Sequence, residues 1–328
     1  MKNLKTLNIP STLRDIEIGA MLTSTKIKTI NVHDANEHLT VEDGILYTKD
    51  KKTLIYATTS FDKSTLDISG VTEIRKYAFY NNAKLKEVTG TSDLSAIREG
   101  AFQKSKIETI DLSNVLEIEK SAFKQSAIKK ANLSNIETLG EQVFSRCTSL
   151  EELNLSNKIS NIGRATFEQT KIKNLILPDS IESIGEMAFY KAEIETLVIG
   201  NGIKSIETVL DAFKTCAKLK SITLGDGITE VGEKAFSEWK SLEEIKLGNA
   251  LSTIHTTAFD NLVNLKKVQA ETQEQLNRLA EIPSINVDQS LKKATIVAKS
   301  TLDIASVEFF YSKKEDKGEY TELSEYAY

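Results

Sequence analysis

Three histidines and two cysteines are the residues of this 328-residue chain best suited to chemistry. His33 and His38 lie in the stretch HDANEHLTVED, beside Asp34, Glu37, Glu42 and Asp43. Imidazole and carboxylate together suit a divalent transition metal. The spacing is not H-E-x-x-H, however, and nothing there imposes a helix that would gather the groups on one face. The stretch reads as a polar surface loop. His255 stands alone between Ile254 and Thr256. Cys147 and Cys216 each follow a phenylalanine by three residues. There is no G-x-S-x-G, no phosphate-binding loop, no dinucleotide fingerprint and no evident Cys-His pair. No catalytic, cofactor-binding or metal-binding residue is assigned, so the expectation is a protein that is not an enzyme and needs no cofactor.

The elements that carry these residues are set by a repeat. Phenylalanines recur at 79, 102, 123, 144, 167, 189, 213, 236 and 259, at intervals of 21 to 24 residues, mostly preceded by Ala. A period in this range marks a solenoid. Residues 228–247 show the unit. Ile228 and Val231 lie three apart, Gly232 follows, then Ala235-Phe236, and Leu242, Ile245 and Leu247 close it. In the closing strand Ile245 and Leu247 alternate with Glu244 and Lys246, so one face is buried and one wet. One coil cannot bury its own apolar face, but stacked coils bury all of them in one continuous core. The glycines at 163, 185 and 232 are expected to ease the bend after the I-x-x-I strand. The two cysteines share one slot three coils apart, so stacking separates them by roughly 15 Å. That exceeds the roughly 7 Å a disulfide allows, and separate buried thiols are expected.

The pattern I-x-x-I-G-x-x-A-F followed by L-x-x-I-x-L resembles the BspA-like leucine-rich repeat family of bacterial surface proteins. The resemblance covers residues 1–288. The expected fold is a leucine-rich repeat solenoid of short strands, about 10–11 coils of 21–24 residues. An upstream coil fits Ile16, Ala20-Met21, Ile27, Ile30 and Val32, with Met21 in the phenylalanine slot. Residues 33–70 read as an insertion. Its strands Ile45-Leu46-Tyr47 and Leu54-Ile55-Tyr56 flank a polar turn and predict a β-hairpin at one edge of the solenoid. A capping helix is expected at 272–281, where strong helix formers precede Pro283. Residues 289–328 change character. They predict a β-rich segment of three strands, which either packs on the solenoid or opens an immunoglobulin-like domain.

Composition narrows the partners. Net charge is −5, with Lys and Glu interspersed, which argues against nucleic acid. No run of 18 apolar residues is present, so no membrane span is expected. The start, MKNLKTLNIP, enters a repeat strand at once and shows no leader. The expectation is an extracellular or bacterial cell-surface protein whose leader and anchor are absent from this sequence. The resemblance implies a non-catalytic interaction or adhesion module; solenoids present extended concave surfaces, so a monomer that binds a protein, a host extracellular one among them, or a glycan through the concave sheet is expected. A spacer that displays other domains is the alternative, and a metal-dependent enzyme a more distant one. The outward strand positions Asn154, Asn174, Ile176, Thr196, Val198, Thr223 and Lys246 are the candidate binding residues. Ile176 and Val198 are apolar where the rest of that face is polar.

Overall fold

A computed structural model describes residues 4–17, 27–282 and the backbone at 295–296. The chain is a β-solenoid that divides into two compact units. The first holds Met1–Ile172 with Gly185–Ala192, the second Lys173–Ile184 with Glu193–Tyr328.

In the first unit each coil offers short strands to two parallel ladders. The L-x-L strands Thr65–Asp67, Glu87–Thr89 and Thr109–Ile110 pair side by side, as do Lys130–Leu133 with Glu152–Leu155. Because coils wind in one direction, equivalent residues meet in register: Leu66 opposite Val88, Val88 opposite Ile110. Their burial alternates, exposed then buried then exposed. The second ladder runs through Glu73–Ile74, Ala96–Ile97, Glu117–Ile118 and Thr138–Leu139.

The stretch 33–70 is more than one hairpin. Three antiparallel strands, Leu39–Glu42, Ile45–Thr48 and Thr53–Ala57, head the second ladder, and Thr53 and Leu54 pair in parallel with Glu73 and Ile74. Residues 65–67 already belong to an ordinary coil strand. The hairpin is therefore an end of the sheet and not an excursion from it. Met21 and its neighbours lie outside the described residues, whereas Ile27 and Ile30 are buried.

The Ala-Phe turns form a third row of coil-to-coil contacts. Phe79 N–H donates to the Ala101 carbonyl at 2.7 Å, Phe102 to Ala122 at 2.7 Å and Phe167 to Ala188 at 2.7 Å. The slot is mostly Ala but tolerates modest bulk: Val143 and Thr166 accept the same bond from Phe123 and Phe144 at 3.0 and 2.8 Å. The residues two before and two after each phenylalanine repeatedly take left-handed backbone, as at Ser121 (φ 58°) and Gln125 (φ 60°). That conformation costs a non-glycine residue about 1 kcal/mol or more. It turns the Ser121 and Gln125 N–H groups onto carbonyls of the next coil, at 3.0 and 2.9 Å. Inside, Phe79, Phe102, Phe123, Phe144, Phe167 and Phe189 stack with centroids 5.1–5.6 Å apart and interplanar angles of 4–13°.

Gly185, and Gly140 in the equivalent slot, serve close approach and not a bend, whereas Gly232 has no backbone within 4 Å of its Cβ position. A Cβ on Gly185 would sit 2.6 Å from Arg164 N, and one on Gly140 would sit 2.5 Å from Lys120 N. Neither needs a left-handed backbone.

In the second unit Asn174–Ile176, Thr196–Val198, Ser221–Thr223, Glu244–Lys246 and Lys267–Gln269 form one parallel sheet, joined by an antiparallel Thr295–Ile296 at its last strand. One coil replaces the I-x-x-I strand by a helix, Ile206–Ala212. Its buried residues Ile206, Val209 and Ala212 keep helical spacing, and Ser205 Oγ caps it by accepting the Glu207 N–H at 3.2 Å. A second helix, Gln273–Ala280, starts in a capping box between Thr272 and Gln275. The segment 289–328 lies outside the described residues except for the pairing at 295–296.

Candidate interaction surface

Six of the seven candidate residues stand on the wet face of the second unit's sheet, in two rows set by the strand register. One row runs Asn174, Thr196, Ser221, Glu244, Lys267, the other Ile176, Val198, Thr223, Lys246, Gln269. The polar members partner one another. Thr196 Oγ1 donates to Asn174 Oδ1 at 2.6 Å, Lys267 Nζ to Glu244 Oε1 at 2.6 Å, and Lys246 lies 3.5 Å from Glu271. Ile176 and Val198 sit cross-strand neighbours, 69% and 38% exposed. Two adjacent apolar side chains standing in water amid polar neighbours are what a partner can desolvate at least cost.

Asn154 belongs to the other unit. It pairs across the strands with Asn132, its Nδ2 donating to Asn132 Oδ1 at 3.1 Å. It lies beside an open groove of about 670 Å³ floored by Glu87, Thr89, Thr109, Asp111, Lys130 and Asn132 and walled by Gly90, Thr91 and Ser92. The wall exists because Gly90, with φ +70°, stands where neighbouring coils place Ile68 and Leu112. The chain leaves the strand there and makes a single 3-10 turn over Thr91–Asp93. Sequence reasoning missed this wall, although a glycine replacing a strand's closing apolar residue was its signal.

The second unit holds a further feature that the repeat pattern did not reveal. Asp179, Asn201, Asp226 and Asn249 occupy equivalent turns. The Oδ1 of each of the first three accepts the backbone N–H of the next member, at 2.8, 2.7 and 2.6 Å. The ladder satisfies turn backbone that would otherwise point to solvent.

The residues first examined for chemistry are engaged structurally. Asn36, almost fully buried, ties the loop holding His33 and His38: its Nδ2 donates to the carbonyls of Pro10 and Leu13, and its Oδ1 accepts from His38 N and Leu39 N. His255 Nδ1 accepts the Thr257 N–H at 3.2 Å in an exposed turn. Neither cysteine is in a disulfide, and both are buried. Burial pushes the Cys147 thiol up to about 11. Among the described residues no group of three or more His, Cys, Asp or Glu side chains is placed to share a metal ion, and no helix is long and apolar enough to cross a membrane.

Residues 51–170 and 182–314 match the family model described as BspA type leucine rich repeat region, in six copies. Among solved structures the chain is similar to the pneumococcal vaccine antigen PcpA, at 18% identity and a TM-score of 0.46, covering 71% of this chain and 70% of that one. It is similar to a leucine-rich repeat protein from Eubacterium ventriosum at 21% identity and a TM-score of 0.43, covering 78% of this chain and 58% of that one. It thus spans little more than half the length of the Eubacterium protein. A leucine-rich cell surface protein from Faecalibacterium prausnitzii matches at 17% identity and a TM-score of 0.38, covering 70% of this chain and 94% of that one. No curated protein matches the chain.

Proposed function

The chain belongs to the BspA-type leucine-rich repeat family, and from that premise we propose that it is a non-catalytic interaction module of a bacterial surface or secreted protein. It binds an extracellular protein through the wet face of its L-x-L sheet, with Ile176 and Val198 as the apolar anchor and Asn174, Thr196, Thr223 and Lys246 as the polar surround. The observation that carries this reading is the exposed Ile176–Val198 pair on an otherwise polar sheet face. Tight interfaces put their binding energy in a few desolvated side chains surrounded by near-neutral contacts. The pair has that arrangement. Asn154 serves the same role on the first unit's sheet face.

The test is capture of immobilised extracellular-matrix proteins by the whole chain and by an Ile176→Asp/Val198→Asp variant. The expected result is retention by the parent and a loss of at least tenfold by the variant, roughly 1.4 kcal/mol or more, at an unchanged melting temperature. Equal binding by the two proteins would remove the anchor. Absence of any retained protein would favour a spacer.

A further inference from the structure

The Ala-Phe turns of the first unit present a second surface, distinct from the sheet face. Its outward positions are the residues three before and two after each phenylalanine, joined by half-buried side chains one after it such as Lys124. Four cations there are held by carboxylates of the neighbouring coil. These ion pairs are Lys76–Glu99 at 3.6 Å, Lys120–Glu141 at 3.9 Å, Arg146–Glu168 at 3.7 Å and Arg164–Glu186 at 3.5 Å. Three further cations have no carboxylate at ion-pair distance among the described residues. Lys104 Nζ reaches the Tyr80 hydroxyl at 3.3 Å and lies over that ring, 5.6 Å from its centroid. Lys124 Nζ donates to Gln142 Oε1 at 2.7 Å. Lys191 lies over the Tyr190 ring at 5.2 Å. The face therefore carries a surplus of three positive charges in a chain whose net charge is −5.

We propose that this face binds a sulfated polysaccharide, with Lys104, Lys124 and Lys191 pairing to sulfates. The coils place their cations along the stack at multiples of about 4.8 Å, the spacing of paired strands. A linear anionic chain can follow that row. Lys104 and Lys124 belong to adjacent coils joined by the Lys104 N–H to Lys124 carbonyl bond at 2.8 Å. The Lys124 pKa is drawn below the ordinary lysine value by burial first; the Glu168 carboxylate acts the other way, and Arg146, Lys120 and Arg164 lower it further. Nucleic acid fits less well, because its affinity comes from some 6–10 neutralised phosphates and only three cations here are without a carboxylate. The proposal stands on a different face from the sheet and holds whether or not the Ile176–Val198 pair binds a protein.

The experiment is retention of the whole chain on immobilised heparin, with elution by salt. The parent is expected to bind at low salt and to weaken as salt rises, with a modest slope set by about three released counterions. A Lys104→Glu/Lys124→Glu/Lys191→Glu variant is expected to bind at least tenfold more weakly. A Lys218→Glu/Lys220→Glu/Lys266→Glu variant, which changes net charge equally on the second unit, is expected to keep most of its retention. Circular dichroism confirms that both are folded. Parent flow-through at low salt, or equal loss in the two variants, overturns the proposal. Displacement by single-stranded DNA as effective as by heparin, or undiminished binding to desulfated heparin, overturns the assignment to sulfated sugar.

Discussion

At the scale of single residues, burial decides what the side chains best suited to chemistry can do. The position three after each phenylalanine from Phe102 onward is filled by Ser105, Ser126, Cys147, Thr170, Ala192, Cys216, Trp239 and Leu262, all buried; after Phe79 it is the half-buried Asn82. Cys147 is one tenant of a slot that accepts polar and apolar side chains alike. Its thiol donates to the Phe123 carbonyl at 2.9 Å, and Ser126 Oγ lies 3.5 Å away. Removal from water disfavours the thiolate and raises the pKa from 9.0 to about 11. A raised pKa means that the folded state holds the proton more tightly than the unfolded state does. The associated stability is fully present below pH 9 and is lost as pH rises from about 9 to about 11. We therefore expect Cys147 to resist a thiol reagent at pH 8 until the chain unfolds, measured as labelling rate against denaturant. Rapid labelling in the absence of denaturant would refute this. Cys147→Ser should cost less than roughly 1.5 kcal/mol, because Ser105 and Ser126 already fill the slot, and should flatten the alkaline fall in stability. The position of the cysteine inside the coil was readable from spacing to phenylalanine. Its carbonyl partner was not, since that depends on which backbone the neighbouring coil brings alongside.

At the scale of elements, the same letter at equivalent positions does not always answer the same need. Phe123 stacks between Phe102 and Phe144 at 5.1 and 5.3 Å and is fully buried. Phe123→Ala is expected to cost about 3–5 kcal/mol, read as a shift in denaturation midpoint at constant slope. A cost under 1 kcal/mol would mean that the stack collapses freely around the gap. The glycines divide more finely. Gly185→Ala would drive a Cβ to 2.6 Å from Arg164 N, whereas Gly232→Ala meets only Glu207 Oε1 at 3.4 Å, the far end of a side chain. Overpacking against backbone costs typically 1–3 kcal/mol. Gly185→Ala should therefore be clearly destabilising and Gly232→Ala close to neutral, and comparable melting temperatures for the two would contradict the close-approach account. The repeat period exposed the coil, its two strand types and its interior ring stack, because each of these is a periodic burial requirement. It missed the helix Ile206–Ala212, since Ile206, Val209 and Ala212 satisfy the core with helical spacing in the coil whose phenylalanine interval is 24. It missed the Gly90 wall for a related reason: a single departure from a repeat is invisible to a pattern that averages over coils. The apolar pair Ile176 and Val198 was readable once alternation fixed which residues face out. The cationic turn face was not, because its surplus charge emerges only when the ion pairs between coils are taken away.

At the scale of the whole molecule, stability in a stacked array is close to a sum of coil terms and nearest-neighbour terms. A lesion in one coil should stay near that coil. The helix Gln273–Ala280 offers a sharp case within the second unit, because it supplies groups that the preceding coil lacks. Gln275 is fully buried. Its Nε2 donates to the Gly248 and Leu251 carbonyls at 2.6 and 3.0 Å, and its Oε1 accepts from Glu271 N and Thr272 N at 2.8 and 3.3 Å. One amide thus serves four backbone groups, of which the Gly248 carbonyl also accepts the Leu251 N–H at 3.3 Å. Gln275→Leu keeps the volume and removes all four of these bonds, so the buried Leu251 carbonyl above all loses its amide donor. Each such group costs on the order of 1–3 kcal/mol, partly relieved where water can enter. The loss should appear in hydrogen exchange as reduced protection of amides next to the helix, such as Leu251 and Thr253, which bond to the Gly248 and Thr229 carbonyls. Amides of the first unit's interior row, such as Phe102 and Phe123, should keep their protection, because no neighbour term of theirs has changed. Equal loss across both sets would mean that the chain opens as one cooperative body, and the additive description would then fail for this solenoid.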